Sequence, residues 1–177
     1  MDRSSIITGI VLLSIVAGVA FIAFTRSIDD APQNTQLSFS NEVDSVFTDL
    51  AGEPVDLSQF DNTVRVVNSW ASWCPFCVNE LPDFDELASG YDREDVVVIA
   101  INRKEPTKTV QSYLETIESL PHVTLLLDPT DSFYSSIGGF AMPETIFYNR
   151  DGEVVVHKRG FMKLEEMRRH TEAALAQ

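Results

Sequence analysis

Both cysteines of this 177-residue chain fall in one short segment, Trp73-Cys74-Pro75-Phe76-Cys77. Two thiols at that spacing can close as a reversible disulfide, supply half of a metal site, or stand as unpaired structural cysteines. Their setting favours redox chemistry. Val64–Trp70 (VRVVNSW) is apolar enough for a central strand, and Pro75–Ser89 carries Cys77, Leu81, Phe84 and Ala88 on one helical face. Cys74 therefore stands where a strand ends and a helix begins. Amides and the dipole at a helix N-terminus favour an anion, so the Cys74 thiolate is favoured. Cys77 lies one turn along, deeper, and within reach of a mixed disulfide formed at Cys74. Cys74 is the expected nucleophile and Cys77 the resolving thiol.

Metal chemistry fits less well. The histidines, His122, His157 and His170, have no ligand spacing from the cysteines. Two cysteines exclude a four-cysteine zinc site and a cysteine-ligated iron–sulfur cluster within one chain. Copper(I) on the two thiolates is the metal alternative, which would make the protein a metallochaperone. No metal and no cofactor beyond the cysteine pair is expected.

The elements that must position the cysteines alternate between strand and helix. Short N-terminal runs at Leu37–Phe47 and Glu53–Leu57 are separated by Ala51-Gly52. After the first core strand and helix, strands are predicted at Val96–Ile101 and Val123–Leu127, with helices at Thr107–Ser119 and Ser132–Ile137. Pro82 is expected to kink the cysteine-bearing helix. Glu144–Tyr148 and Val154–His157 read as a hairpin around Arg150-Asp151-Gly152, and Lys163–Ala176 as a closing helix. That order gives an α/β class, a central mixed sheet with helices on both faces.

Ile6 to Phe24 holds 15 apolar residues in 19, with no charge. As a helix it spans about 28 Å, close to the hydrocarbon thickness of a bilayer. It is long for a cleaved signal, so residues 1–26 are expected to be a retained membrane anchor and residues 27–36 a tether to a domain at 37–177. The net charge is −14; residues 1–26 carry +1 and the rest of the chain −15. Such a surface repels phosphate backbones and argues against nucleic-acid binding.

Four segments of this chain together resemble one family. They are Asn68-Ser69-Trp70-Ala71-Ser72-Trp73-Cys74-Pro75-Phe76-Cys77, Glu80-Leu81-Pro82, the loop Gly138–Thr145 (GGFAMPET), and Leu50–Leu57 (LAGEPVDL). They resemble the thioredoxin-fold, membrane-anchored oxidoreductases of the TlpA/ResA/DsbE-like group across about residues 37–176. The resemblance implies a thioredoxin-like fold with an N-terminal β-hairpin extension and a redox-active Cys74–Cys77 disulfide. It also implies a cis Met142-Pro143 bond packed against that pair, whose exposed backbone pairs with a substrate strand. Trp73, Pro75 and Phe76 would complete the docking surface. Met142 departs from the smaller or β-branched residues usual there. Glu80 would tune the thiols and relay protons, because Asn68 replaces the titrating aspartate of plain thioredoxin. Glu144 also matches the branch, although a surface position suits it equally.

The family's activity is thiol–disulfide exchange with cysteine-containing proteins. A prominent task is reducing the haem-binding cysteines of apocytochrome c outside the cytoplasm, with a membrane thiol donor restoring the dithiol. A general disulfide reductase or isomerase is the nearest alternative. Phe76 offers no charge or hydrogen bond to a thiolate, and Glu80 opposes one. A reducing potential near about −250 mV is therefore expected, far from the roughly −120 mV of strong oxidants of this fold.

Overall fold

The computed structural model describes residues 47–177; the expected anchor, the tether and most of the Leu37–Phe47 run lie outside them. β1 (Phe47–Thr48) and β2 (Pro54–Val55) pair antiparallel, which is the expected N-terminal hairpin. Its turn is held by Asp49, whose Oδ1 accepts from the amides of Ala51 at 2.8 Å and Glu53 at 2.9 Å. Gly52 there has φ +88°, a conformation that costs glycine no Cβ clash. A 3-10 turn follows at Leu57–Phe60.

β3 (Val64–Trp70) is buried along its whole length, as its apolar run requires of a central strand. It leads into α1 (Pro75–Ser89), β4 (Val96–Arg103), α2 (Thr107–Leu114), β5 (Thr124–Asp128) and α3 (Ser132–Ser136). β6 (Glu144–Tyr148), β7 (Val154–Arg159) and α4 (Leu164–Leu175) complete the order. The sheet runs β2-β1-β5-β4-β3-β6-β7. β3, β4 and β5 are parallel, whereas β6 pairs antiparallel to both β3 and β7.

Side chains alternate across this sheet with a period of two. Val64, Val66 and Trp70 of β3 face a core that includes Cys77, Leu81, Phe84 and Leu87 of α1, Val110 of α2 and Met167 and Ala174 of α4. Val67 faces the opposite core, with Ile99, Ile101 and Ile146 packed on Phe133 and Tyr134 of α3 and Phe60 of the 3-10 turn. The predicted helical face of α1 is thus the buried one.

One expectation is adjusted. α2 ends at Leu114, short of the predicted Ser119. Beyond it, Thr116 donates through both its amide and its hydroxyl to the Tyr113 carbonyl, at 2.9 and 2.6 Å, which tightens the chain into turns. Ile117 still packs on the core, so the apolar period continued while the helix did not. Pro82 is exposed and lies inside α1, which is assigned as one helix from Pro75 to Ser89. Among the described residues no helix is long and apolar enough to cross a membrane.

Candidate active site

Cys74 is the N-cap of α1, with extended backbone, and Pro75 fills the first helical position where no amide donor is needed. The cap is made by sulfur: the Cys77 amide donates to Cys74 Sγ at 3.2 Å. Cys74 and Cys77 are joined as a disulfide, with Cα atoms 5.2 Å apart. Cys77 is fully buried and Cys74 only 4% exposed. The residues between and beside them are not: Trp73 is 63% and Phe76 62% exposed. Both large apolar side chains are therefore open to a partner.

β3 runs into the cysteine turn, and antiparallel β6 starts at the same end, with Ser69 opposite Glu144 and Asn68 opposite Thr145. That register brings the loop before β6 to the cysteine end of the sheet. The Met142-Pro143 bond is cis, and Met142 packs on the core cluster that holds both cysteines. Many of the loop's polar groups are used internally. Phe140 and Ala141 donate their amides to Glu144 Oε1, each at 2.8 Å. The Ala141 carbonyl accepts from the Tyr134 hydroxyl at 2.8 Å, and the Pro143 carbonyl from the Gly160 amide at 2.8 Å. Met142 N–H and C=O have no hydrogen-bond partner among the described residues. The carbonyls of Gly138, Gly139 and Phe140 are also without a partner among the described residues, but Met142, which precedes the cis-proline, is the residue of this loop with both its N–H and its C=O free. Tyr134 also explains Gly139: a Cβ there would lie 2.4 Å from the ring.

Glu80 is completely buried on α1, one turn past Cys77. The Met162 amide donates to its Oε1, whereas Oε2 has no partner among the described residues. Burial drives its pKa up to about 8; Asp83 and Glu166 push the same way, against the Met162 amide and Lys158. The carboxyl therefore keeps its proton through the neutral range. Its negative charge can oppose a thiolate only above that pH; below it, the group is a proton donor. Asn68 is buried on β3 and donates through Nδ2 to Thr145 Oγ1 at 3.0 Å.

Glu144 is not on the surface; it is fully buried. Besides the two loop amides, its Oε2 lies 2.6 Å from His157 Nε2 and 3.7 Å from Arg159 Nε. Burial alone would raise its pKa, but the amides and His157 outweigh that and hold it below the usual carboxylate range. Sequence reasoning missed this anchor, and it also missed Phe140 (76% exposed) and Phe161 (40% exposed). Phe161 sits 6.4 Å from Phe76 between ring centroids, and Arg159 lies 4.7 Å over the Phe140 ring. The available signal was an aromatic directly after glycine in each case, Gly139-Phe140 and Gly160-Phe161. Among the described residues, no group of three or more His, Cys, Asp or Glu side chains is arranged to hold a metal ion.

The model of the Redoxin family matches residues 24–175. The chain belongs to the Redoxin family. Among its Redoxin relatives, the thiol-disulfide oxidoreductase ResA of Geobacillus kaustophilus is 27% identical over 164 residues, covering 92% of this chain and 91% of that protein. The ResA of Halalkalibacterium halodurans is 32% identical over 120 residues, covering 67% and 66%. In solved structures, this Redoxin domain is similar to a Chlorobium tepidum protein described as a thiol:disulfide interchange protein DsbE. The two superpose with a TM-score of 0.68 at 25% identity, over 76% of this chain and 94% of that one. A secreted Mycobacterium tuberculosis disulfide oxidoreductase shares the fold, with a TM-score of 0.63 at 23% identity over 73% and 95% of the two chains. This Redoxin is a thiol–disulfide oxidoreductase of the ResA/DsbE type, with a thioredoxin-like fold and Cys74–Cys77 as its disulfide.

Proposed function

We propose that this protein is a membrane-tethered reductase of protein disulfides on the extracytoplasmic side, and that its substrates include the haem-binding cysteines of apocytochrome c. The observation that carries the reading is the unpaired Met142 N–H and C=O on the cis-proline loop, at the cysteine end of the sheet. Free main-chain groups of that kind accept an extended strand, so the substrate is a polypeptide. The apolar run Ile6–Phe24 supports the tether, and a net charge of −14 complements a basic partner.

The chemistry follows from the placement of three groups. In the reduced protein the Cys74 thiolate, favoured at the α1 N-terminus, attacks one sulfur of the substrate disulfide. That S–S bond breaks, the far sulfur leaves as a thiolate, and a mixed disulfide joins Cys74 to the substrate. Cys77 passes its proton to the ionised form of Glu80 and attacks Cys74 Sγ. The mixed disulfide breaks, the second substrate thiolate leaves, and Cys74–Cys77 closes. Two electrons have passed from the dithiol to the substrate, and protonation of the released thiolates completes the balance. A membrane thiol donor restores the dithiol.

Replacing Cys77 with Ala in the full-length protein, in its native membrane, removes the resolving thiol and leaves the mixed disulfide in place. One dominant apocytochrome partner linked to Cys74 supports the reading. A broad set of extracytoplasmic proteins would replace it with general disulfide reduction or isomerisation.

A further inference from the structure

Ser72, two residues ahead of Cys74, is gripped by a side chain from another part of the fold. Glu105, in the loop between β4 and α2, accepts the Ser72 amide on Oε2 at 2.8 Å and the Ser72 hydroxyl on Oε1 at 2.6 Å. Oε2 also accepts from Nδ2 of Asn102 at 2.7 Å. Asn102 is buried in β4, opposite Trp70 in the β3–β4 register. One carboxylate therefore uses both oxygens and three donors to tie the β3–α1 turn to the end of β4. Within the turn, the Cys74 amide donates to the Ala71 carbonyl at 3.1 Å.

Trp73 lies between these two fixed points. It is 63% exposed, so burial cannot set its direction; the backbone on either side must. Cys74 is fixed as the cap of α1. Ser72 is fixed by Glu105. We propose that Glu105 is a positioning residue for protein substrates: it holds the Ser72 backbone so that Trp73 stands preset beside Cys74 as part of the docking surface. Freedom that a docking partner would otherwise have to freeze out is removed when the protein folds. Small disulfides, which need no docking surface, gain nothing from the clamp. The inference rests on the reading of this site as a reductase of protein disulfides.

The test compares Glu105→Ala, Glu105→Gln and Ser72→Ala with the wild type in the full-length protein. Two substrates are used, a protein disulfide (insulin) and a small one (oxidised glutathione), and exchange of the Ser72 amide hydrogen is followed in parallel. Loss of hydrogen bonds to a charged group predicts a rise in KM for insulin of about tenfold in Glu105→Ala. Turnover of glutathione disulfide falls less than twofold, and the Ser72 amide exchanges faster. Glu105→Gln, which keeps one oxygen acceptor, falls between the two. Ser72→Ala loses only the hydroxyl arm and shows a smaller rise, which keeps the test decisive if Glu105→Ala does not fold. Equal losses on both substrates, or no change on either, would overturn the proposal. Failure of the wild type to reduce insulin at all would instead remove the reading of the site on which the proposal rests.

Discussion

The Met162 amide, from the turn before α4, donates to Oε1 of Glu80 on α1, across 82 positions of sequence. The carboxyl group is fully buried, and this hydrogen bond does not offset the burial. The outcome is an acid whose pKa is raised to about 8 beside a cysteine pair.

The first prediction concerns stability. The unfolded pKa of Glu80 is near the ordinary 4.5 and the folded one about 8, so the folded protein binds the extra proton between them. Its contribution is full below about pH 4.5 and is lost as pH rises through 8. The loss approaches about 1.4 kcal/mol for each pH unit within that window. Glu80→Gln, a neutral isostere, should match the wild type near pH 4.5 and become the more stable protein by pH 8.5. Urea midpoints across that range check this; parallel pH curves for the two proteins would contradict it.

The second concerns rate. Glu80→Gln cannot take the Cys77 proton, and loss of a positioned acid–base group costs about 100-fold or more. The step affected is closure of Cys74–Cys77. Stopped-flow traces of the Glu80→Gln protein should show the mixed disulfide forming on time and decaying slowly. The pH dependence near 8 should also disappear. Slow formation with normal decay would place Glu80 at the wrong step.

The third concerns the docking loop. Glu144→Ala removes the acceptor of two amides and leaves His157 without its buried partner, a loss of about 1–3 kcal/mol or more. Because the native Glu144 pKa is lowered, this contribution is present above the ordinary carboxylate pKa and fades as pH falls through the native value. Amide exchange at Phe140 and Ala141 should accelerate in the variant. Unchanged exchange there would mean that the loop holds its shape without the carboxylate.

The sequence made the chemistry legible because that chemistry is local. Trp73–Cys77 sits between an apolar run and a helical stripe, and these alone place a thiol pair at a helix N-terminus. The loop GGFAMPET revealed the cis-proline only through family resemblance, since a proline by itself does not declare its isomer. The burial of Glu144 was not legible. It depends on β7 folding back to bring His157 against it, and a glutamate at a strand start is as easily exposed. Glu105 was invisible for a similar reason. Its partner Ser72 is 33 residues away, and the two meet only because β3 and β4 are parallel neighbours that end together. The overshoot of α2 to Ser119 came from reading a buried Ile117 as helical, when turns served to bury it.

The fourth prediction concerns recognition. Phe140 and Phe76 are exposed, so Phe140→Ser and Phe76→Ser should change stability by no more than about 0.5 kcal/mol. Both should raise KM for a protein disulfide several-fold, with a smaller effect on a small disulfide. Steady-state kinetics with the two substrate types checks this. A large fall in stability would mean that these rings serve the fold and not a partner.

The direction of electron flow decides between a reductant and an oxidant, and the reduction potential of the Cys74–Cys77 couple measures it. Equilibration of the full-length protein with dithiothreitol buffers, read by thiol alkylation, gives the value. With no charge from Phe76 to stabilise the thiolate and a buried acid at Glu80, the expected potential is near about −250 mV. A value above roughly −180 mV would contradict the account, because the disulfide would then be the form that passes itself on.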